Sequence, residues 1–151
     1  MIKINVILNN INWKKYLKNP NTYIDKKVSL INKKNLLYKK KFLICSLLLT
    51  NSREIKKLNK KFRKKNKSTD VLSFPFHGKE ELKNTINRHR EIYLGDIVIH
   101  LNEIKNKNNK IRFNENLDKL WVPGLVHLFG HEHKKNKDFY AMQNIEKKSL
   151  R

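Results

Sequence analysis

The 151-residue sequence has little cysteine, glycine, proline or acidic character. Its single cysteine, Cys45, excludes an intramolecular disulfide and a cysteine-rich zinc module. Four Gly and three Pro exclude collagen-like and other low-complexity architectures. The longest apolar run, residues 42–49, is far shorter than the roughly 20 residues that cross a bilayer, and the first ten residues lack a signal-peptide core. We therefore expect a cytoplasmic protein of a reducing compartment, with no membrane partner.

Positive charge is what the sequence has in excess. Its 35 Lys+Arg residues outnumber 13 Asp+Glu residues, which gives a formal net charge of +22. Such a charge favours binding to a polyanion, most often a nucleic acid. Lysine supplies 29 of the cations and arginine only 6, a balance that suits phosphate attraction better than bidentate reading of bases. An A/T-rich genome would also enrich Lys, Asn and Ile. The charge alone therefore does not distinguish selection for nucleic-acid binding from a bias in codon usage.

Hydrophobic periodicity predicts an α+β (mixed α/β) fold in one compact domain, residues 1–151. We expect a central, mostly parallel sheet of about four strands packed with helices, and a metal-site helix near the C-terminus. The predicted strands cover residues 2–8, 42–49, 71–76 and 93–101. The predicted helices cover residues 21–35, a segment after a capping box at 51–54, residues 115–129 and residues 138–150. The polar residues 79–91 are predicted to form a loop or a hairpin arm.

A histidine cluster is the first sign of chemistry. His127, His131 and His133 fall within seven residues at the end of a predicted helix. Imidazole is the commonest metal ligand in proteins. Gly130 should break the helix, so that the chain can turn and bring His133 towards His127, with Glu132 between them. The alternative is a polar helix terminus whose histidines only complement the helix dipole.

The cluster belongs to a longer pattern. Residues 124–133, Gly-Leu-Val-His-Leu-Phe-Gly-His-Glu-His, resemble the signature His-Gly-x-x-His-Leu-x-Gly-Tyr-Asp-His of the YbeY endoribonuclease family. Residues 58–63, continuing into 68–76, resemble the central block of that family, and residues 94–99 resemble its Gly-Asp-Ile strand. A zinc peptidase is excluded, because the segment lacks the His-Glu-x-x-His motif that supplies the general base of such enzymes.

The resemblance implies a single-strand-specific, metal-dependent endoribonuclease. It would act in 3′-end maturation of small-subunit (16S) ribosomal RNA and in ribosome quality control, with ribosomal RNA and the small ribosomal subunit as its partners. In the family, three signature histidines bind one metal ion, usually zinc. The second and third match His127 and His133 here. The first position is occupied by Pro123.

Pro123 leaves the third zinc ligand undetermined. Proline has no ligating side chain, and inside a helix it costs about 3 kcal/mol and favours a kink. His131 or Glu132 could replace the missing ligand, or RNA or water could complete a weak site. The site could also have been lost, which would leave a non-catalytic, ribosome-associated factor that binds rRNA. A generic basic nucleic-acid-binding domain is a weaker third alternative.

Arg63 is the predicted catalytic residue, because its position matches the arginine of the central block. A planar, permanently charged fork suits binding of a phosphate oxygen or stabilisation of a transition state. The alternative is a surface arginine at a helix end. Asp70 and Ser73 are predicted to hold the turn and strand beside the cleft. Asp96 is predicted to be a buried carboxylate that caps a helix or orients a metal ligand.

Overall fold

The computed structural model describes residues 1–34 and 39–130, which include four β-strands and four α-helices. In chain order these are β1 (Ile2–Leu8), α1 (Pro20–Lys34), β2 (Phe42–Thr50), α2 (Ser52–Arg63), β3 (Val71–Pro75), α3 (Lys79–Arg88), β4 (Glu91–His100) and α4 (Lys110–Leu128). Short 3-10 helices cover Ile11–Lys15 and Leu101–Glu103. In the described part of the chain, no helix combines the length and apolar character needed to cross a membrane.

The sheet has the order β1-β2-β4-β3. β1, β2 and β4 are parallel, whereas β3 forms one edge and runs antiparallel to β4. The prediction of an α+β fold with a mostly parallel, four-stranded sheet is therefore confirmed. All four predicted strands are present, with bounds that differ by at most two residues.

The two faces of the sheet differ in burial. Along β2, the residues Leu43, Cys45, Leu47 and Leu49 are buried, while the residues between them are half-buried. The buried side chains join the main hydrophobic core with residues of α1 and α4, such as Ile24 and Trp121. We call this side the closed face. On the opposite side, which we call the open face, Ile55 of α2 covers Leu72 and Val98.

A β-bulge in β4 changes which side chains reach the open face. Ile44 pairs with Tyr93 and Cys45 with Gly95, so the intervening residue of β4 has no partner in β2. A bulge shifts the alternation of side chains by one position. Gly95 has a φ of +138°, and a Cβ atom there would lie 2.2 Å from the carbonyl oxygen of Phe74. Only glycine fits this close approach.

The predicted loop or hairpin at residues 79–91 is wrong, because this segment contains α3. Its apolar residues are few, but Leu82 and Ile86 are four apart and both are buried. Glu80 and Glu81 lie in the first turn, where negative charge is favourable to the helix dipole. A polar helix with a two-residue apolar stripe is easily taken for a loop from sequence alone.

α4 begins five residues before its predicted start and continues through Pro123. Its first turn is capped by Asn109, whose side-chain oxygen accepts a hydrogen bond from the backbone N–H of Arg112. Pro123 removes one helical hydrogen bond, because it has no N–H to donate to the carbonyl of Lys119. The helix ends before Gly130, which has a φ of +85° and thus confirms the predicted break. The predicted helix 138–150 lies outside the described residues.

Candidate active site

Arg63, the last residue of α2, reaches the edge of the sheet. Its Nη2 donates a hydrogen bond to the carbonyl oxygen of Ser73 in β3 at 2.9 Å. The guanidinium carbon lies 5.8 Å from the centroid of the Phe74 ring. α2 ends here because Lys64 adopts a left-handed conformation, and its N–H donates to carbonyls of the last turn. Arg63 is exposed, and since a guanidinium has five N–H donors, it retains donors for an anion.

Ser73 connects this edge to α4. Its hydroxyl donates to the carbonyl oxygen of Gly124 at 3.2 Å. The approach depends on glycine, because a Cβ at Gly124 would lie 2.9 Å from Cγ2 of Ile97 and 3.2 Å from the Ser73 hydroxyl. The backbone and side chain of Ser73 thus join Arg63 to α4, three residues before His127. This contact explains why a serine at this position supports the site.

His127 lies half-buried in the last turn of α4, and its carbonyl oxygen accepts a hydrogen bond from the N–H of Gly130. Position 123 precedes it by four residues, so the two side chains share one face of the helix. The described residues do not fit a three-histidine zinc site, because proline occupies that neighbouring position. Among residues 1–34 and 39–130, no three His, Cys, Asp or Glu side chains converge as metal ligands. His133, His131 and Glu132 lie outside the described residues.

Asp70 and Asp96 differ in how they match their predicted roles. The carboxylate of Asp70 accepts a hydrogen bond from the N–H of Val71 at 2.8 Å, which holds the start of β3. Asp96 is exposed, so its predicted burial is wrong. The bulge places it on the open face with Tyr93, and the Tyr93 hydroxyl donates to its carboxylate. Burial and then this hydrogen bond raise the pKa of Tyr93.

Four aromatic side chains on the open face form two contacting pairs, and one of the four rings, Phe74, lies next to Arg63. We call Phe62, Phe74, Phe76 and Tyr93 the aromatic row. The ring centroids of Phe62 and Phe74 are 5.4 Å apart, and those of Phe76 and Tyr93 are 5.8 Å apart. Phe74 and Phe76 alternate along the edge strand and its extension, so they share one face. Sequence reasoning missed this group, although the Phe-Pro-Phe spacing already placed two rings on one side.

Basic residues dominate the segment that carries Arg63. Residues 52–67 contain nine Lys or Arg and a single acidic residue, Glu54. In the described part of the chain, the recorded salt bridges are Lys27–Asp118 and His77–Glu81, neither of which involves α2. The positive charge of α2 is therefore available to an external anion. The candidate site combines a guanidinium at a strand edge, a basic helix and exposed aromatic rings.

Comparison with known proteins identifies the family. The family model described as endoribonuclease YbeY matches residues 8–151. The chain belongs to the YbeY family. An endoribonuclease YbeY from Pelagibacter ubique is 42% identical over 145 residues, which cover 94% of this chain and 90% of that relative. Another from Ehrlichia chaffeensis is 32% identical and covers 99% of this chain and 91% of the relative.

A solved structure agrees with this YbeY assignment. The solution structure of a protein from Thermotoga maritima matches with a TM-score of 0.59 and 27% sequence identity. The match covers 99% of this chain and 87% of that protein. The predicted resemblance is thus confirmed at the level of family and fold. Among the predicted site residues, the structure brings Arg63 and the α4 turn of His127 to the same edge of this YbeY domain.

Proposed function

We propose that this YbeY chain is a single-strand-specific endoribonuclease that acts in the cytoplasm on RNA of the small ribosomal subunit, during 3′-end maturation of 16S rRNA and ribosome quality control. The observation that carries the proposal is the position of Arg63. Its guanidinium is fixed to β3 by the Ser73 carbonyl, and Ser73 in turn contacts α4 next to the turn of His127. A phosphodiester lying along the β3 edge would therefore be within reach of this guanidinium.

The chemistry of Arg63 suits phosphodiester cleavage. A guanidinium donates paired hydrogen bonds to phosphate oxygens and stays protonated throughout the reaction. Anchoring by Ser73 reduces the freedom that the side chain must lose when substrate binds. In the transition state the phosphate gains negative charge, and a preorganised cation stabilises that charge more than it stabilises the substrate. Arg63 would therefore act on the rate of cleavage as well as on binding.

A zinc ion is part of the proposal. His127 and His133 would bind it, and His131 or Glu132 would replace the ligand that Pro123 lacks. Zinc held there would supply a water molecule with a pKa lowered to about 7. The ligands must be deprotonated, so zinc affinity would fall as the histidines become protonated. The last turn of α4 would fix the position of His127 as a ligand.

A non-catalytic factor that binds rRNA is the second candidate, and Pro123 favours it. The ring of Pro123 stands one helical turn before His127 in a continuous helix, and a proline ring has no atom that can bind the metal. The basic α2 and the fold would remain useful for binding RNA without cleavage. Metal content distinguishes the two candidates.

The first test is zinc per chain, measured by elemental analysis of protein purified without chelator. We expect about one zinc per chain, with loss of zinc in His127→Ala. Pro123→His should raise zinc affinity, because it restores a three-imidazole site. Wild-type protein without zinc would favour the non-catalytic factor instead.

The second test is cleavage of single-stranded RNA by Arg63→Met, which keeps the aliphatic stem and removes the charge. We expect the cleavage rate to fall about 100-fold, as for removal of one preorganised donor to a transition-state anion. Arg53→Met, at the other end of α2, is the matched control and should lose only affinity. Equal rates for the two variants would contradict a catalytic role for Arg63.

A further inference from the structure

We propose that the aromatic row is a stacking platform for bases of single-stranded RNA, with the cations of α2 holding the phosphate backbone alongside. The proposal rests on the proposed function in one respect, that RNA is the substrate. It adds where the strand lies and which side chains hold its bases. The platform occupies the open face of the sheet and ends at Arg63.

The first argument is exposure. Phe62 is 58% exposed and Phe76 is 66% exposed, although both are large apolar side chains at the ends of regular elements. Neighbouring rings in the row meet edge to face, with interplanar angles of 61° and 77°. Neither pair is stacked face to face, and the exposed fractions of Phe62 and Phe76 show that much of each ring is in contact with solvent. Bases stack on such rings irrespective of sequence, because every base has a π-face.

The second argument is charge complementarity. The ammonium of Lys61 lies 5.2 Å from the Phe62 centroid, and the guanidinium of Arg63 lies 5.8 Å from that of Phe74. A cation therefore lies over each of these rings, which leaves the opposite face of each ring for a base. Alternation of aromatic rings and cations matches a single strand, in which each base is followed by a phosphate. A neutral protein partner would leave this positive charge without a counterpart.

Asp96 determines on which side of the aromatic row the RNA backbone lies. Its exposed carboxylate lies on the open face beside Tyr93 and directly opposite Phe74 in the β3–β4 register. It would repel a phosphate, so the backbone runs on the α2 side, along Lys61 and Arg63. The bases then point towards β4, where the carboxylate can accept hydrogen bonds from base amino groups.

A cavity beside the row gives a base room to enter. It has a volume of about 330 Å³ and is lined by apolar residues, including Ile7, Leu48 and Leu58, together with Phe62 and Phe74. Asp96 and Ser46 supply polar groups at its wall. Duplex RNA hides its base faces within the stack, so this surface selects unpaired RNA.

The test measures affinity of the full chain for a fluorescent single-stranded RNA by anisotropy, in parallel with an abasic strand of the same length. Phe62→Leu and Phe76→Leu remove rings but keep apolar surface. We expect each to weaken binding of the RNA by about 5- to 150-fold, the range for loss of one stacked base. Binding of the abasic strand, which depends on phosphates alone, should stay the same. Phe62→Tyr should retain affinity because it keeps the ring.

Controls separate stacking from folding and from other partners. Ile111→Ala alters another exposed apolar residue, on α4 (72% exposed), and should not change RNA affinity. Thermal unfolding identifies any variant that fails to fold.

Equal weakening of the binding of the RNA and the abasic strand, or no weakening of either, overturns the platform. A Phe62→Leu variant that changes only oligomeric state would assign the face to a second copy of the chain. The binding test and the Arg63 cleavage test are independent. The platform can fail while Arg63 is still needed for cleavage, and a chain that does not cleave RNA can still stack its bases.

Discussion

The closed and open faces of one sheet show how the same four strands serve two purposes. On the closed face, Leu47 and Ile97 are fully buried under α4 and α1. On the open face, α2 covers only part of the strands, and Ile7 and Phe62 remain 50% and 58% exposed. The closed face provides stability through dense packing. The open face keeps apolar and charged groups in contact with solvent, where a ligand can reach them.

The difference follows from the helices that each face receives. α1 and α4 both pack on the closed face and contribute two of the largest buried groups of the core, Ile24 and Trp121. α2 has twelve residues and a lysine-rich outer surface, and only Ile55 and Asn59 are buried in it. A short basic helix cannot cover a four-stranded sheet. Substitutions on the two faces should therefore have different consequences.

The largest expected effect comes from Trp121→Ala on the closed face. Trp121 is fully buried, and its Nε1 donates to the carboxylate of Asp118 at 2.8 Å. Removing the ring leaves a cavity and one fewer donor for that carboxylate, so the free energy of unfolding should fall by about 3–5 kcal/mol. Phe62→Leu on the open face should change it by less than about 1 kcal/mol. Urea titration of both variants measures their free energies of unfolding. Equal losses for the two variants would contradict the difference between the faces.

A smaller effect is expected from Tyr23→Phe, which removes a hydroxyl at the border of the closed core. The Tyr23 hydroxyl donates to Asp118 at 2.8 Å, and Asp118 is 2% exposed. Loss of a hydrogen bond to a charged, buried group should cost about 1.5–3 kcal/mol. The ammonium of Lys27, 3.4 Å from the other carboxylate oxygen, keeps the charge partly compensated. Urea titration at neutral pH checks the loss, and an unchanged midpoint would contradict it.

The same tyrosine predicts a pH dependence. Burial, followed by the charge and hydrogen bond of Asp118, raises the pKa of Tyr23 above its ordinary value of 10.0. Below that value both the folded and unfolded states keep the proton, so the stabilisation is complete. Above it the unfolded chain releases the proton first, and stability declines. The difference in free energy of unfolding between wild type and Tyr23→Phe should therefore become smaller above about pH 10.0. A difference that grows there would have the wrong sign.

The smallest effect, close to zero, is expected for thiol labelling of the native protein. Cys45 is fully buried on the closed face, and burial, with a smaller contribution from the charge of Asp96, raises the pKa of its thiol to about 12. A thiol-specific reagent at pH 8 should leave native Cys45 unmodified, because the thiolate is the reactive form. Ser46→Cys, one residue along and on the open face, is the matched control and should add one thiol that reacts. Rapid labelling of the wild type would contradict the assignment of the closed face.

Local pattern predicted much of the fold and part of the site. Alternation in β1 and β2 and the capping signal of Asn51, whose side chain accepts from the N–H of Glu54 at 2.9 Å, are readable from neighbouring residues. Ordered motif blocks indicated the family, and the family indicated Arg63. α3 was missed because its two buried residues are too few to produce a visible period. The exposure of Asp96 was missed because the bulge between Tyr93 and Gly95 reverses the face of the residues beyond it.

The sequence by itself determined the features that depend on short-range order: the apolar faces of the strands, the capped start of α2, the large positive charge and the proline at position 123. The tertiary structure alone decided which of these meet. Phe62, Phe74 and Tyr93 come from three different elements, and Ser73 links Arg63 to α4. Periodicity fixes the face on which a side chain lies, but its neighbours on that face depend on strand order and register. Those are set by packing between residues far apart in the chain, here between β2 and β4.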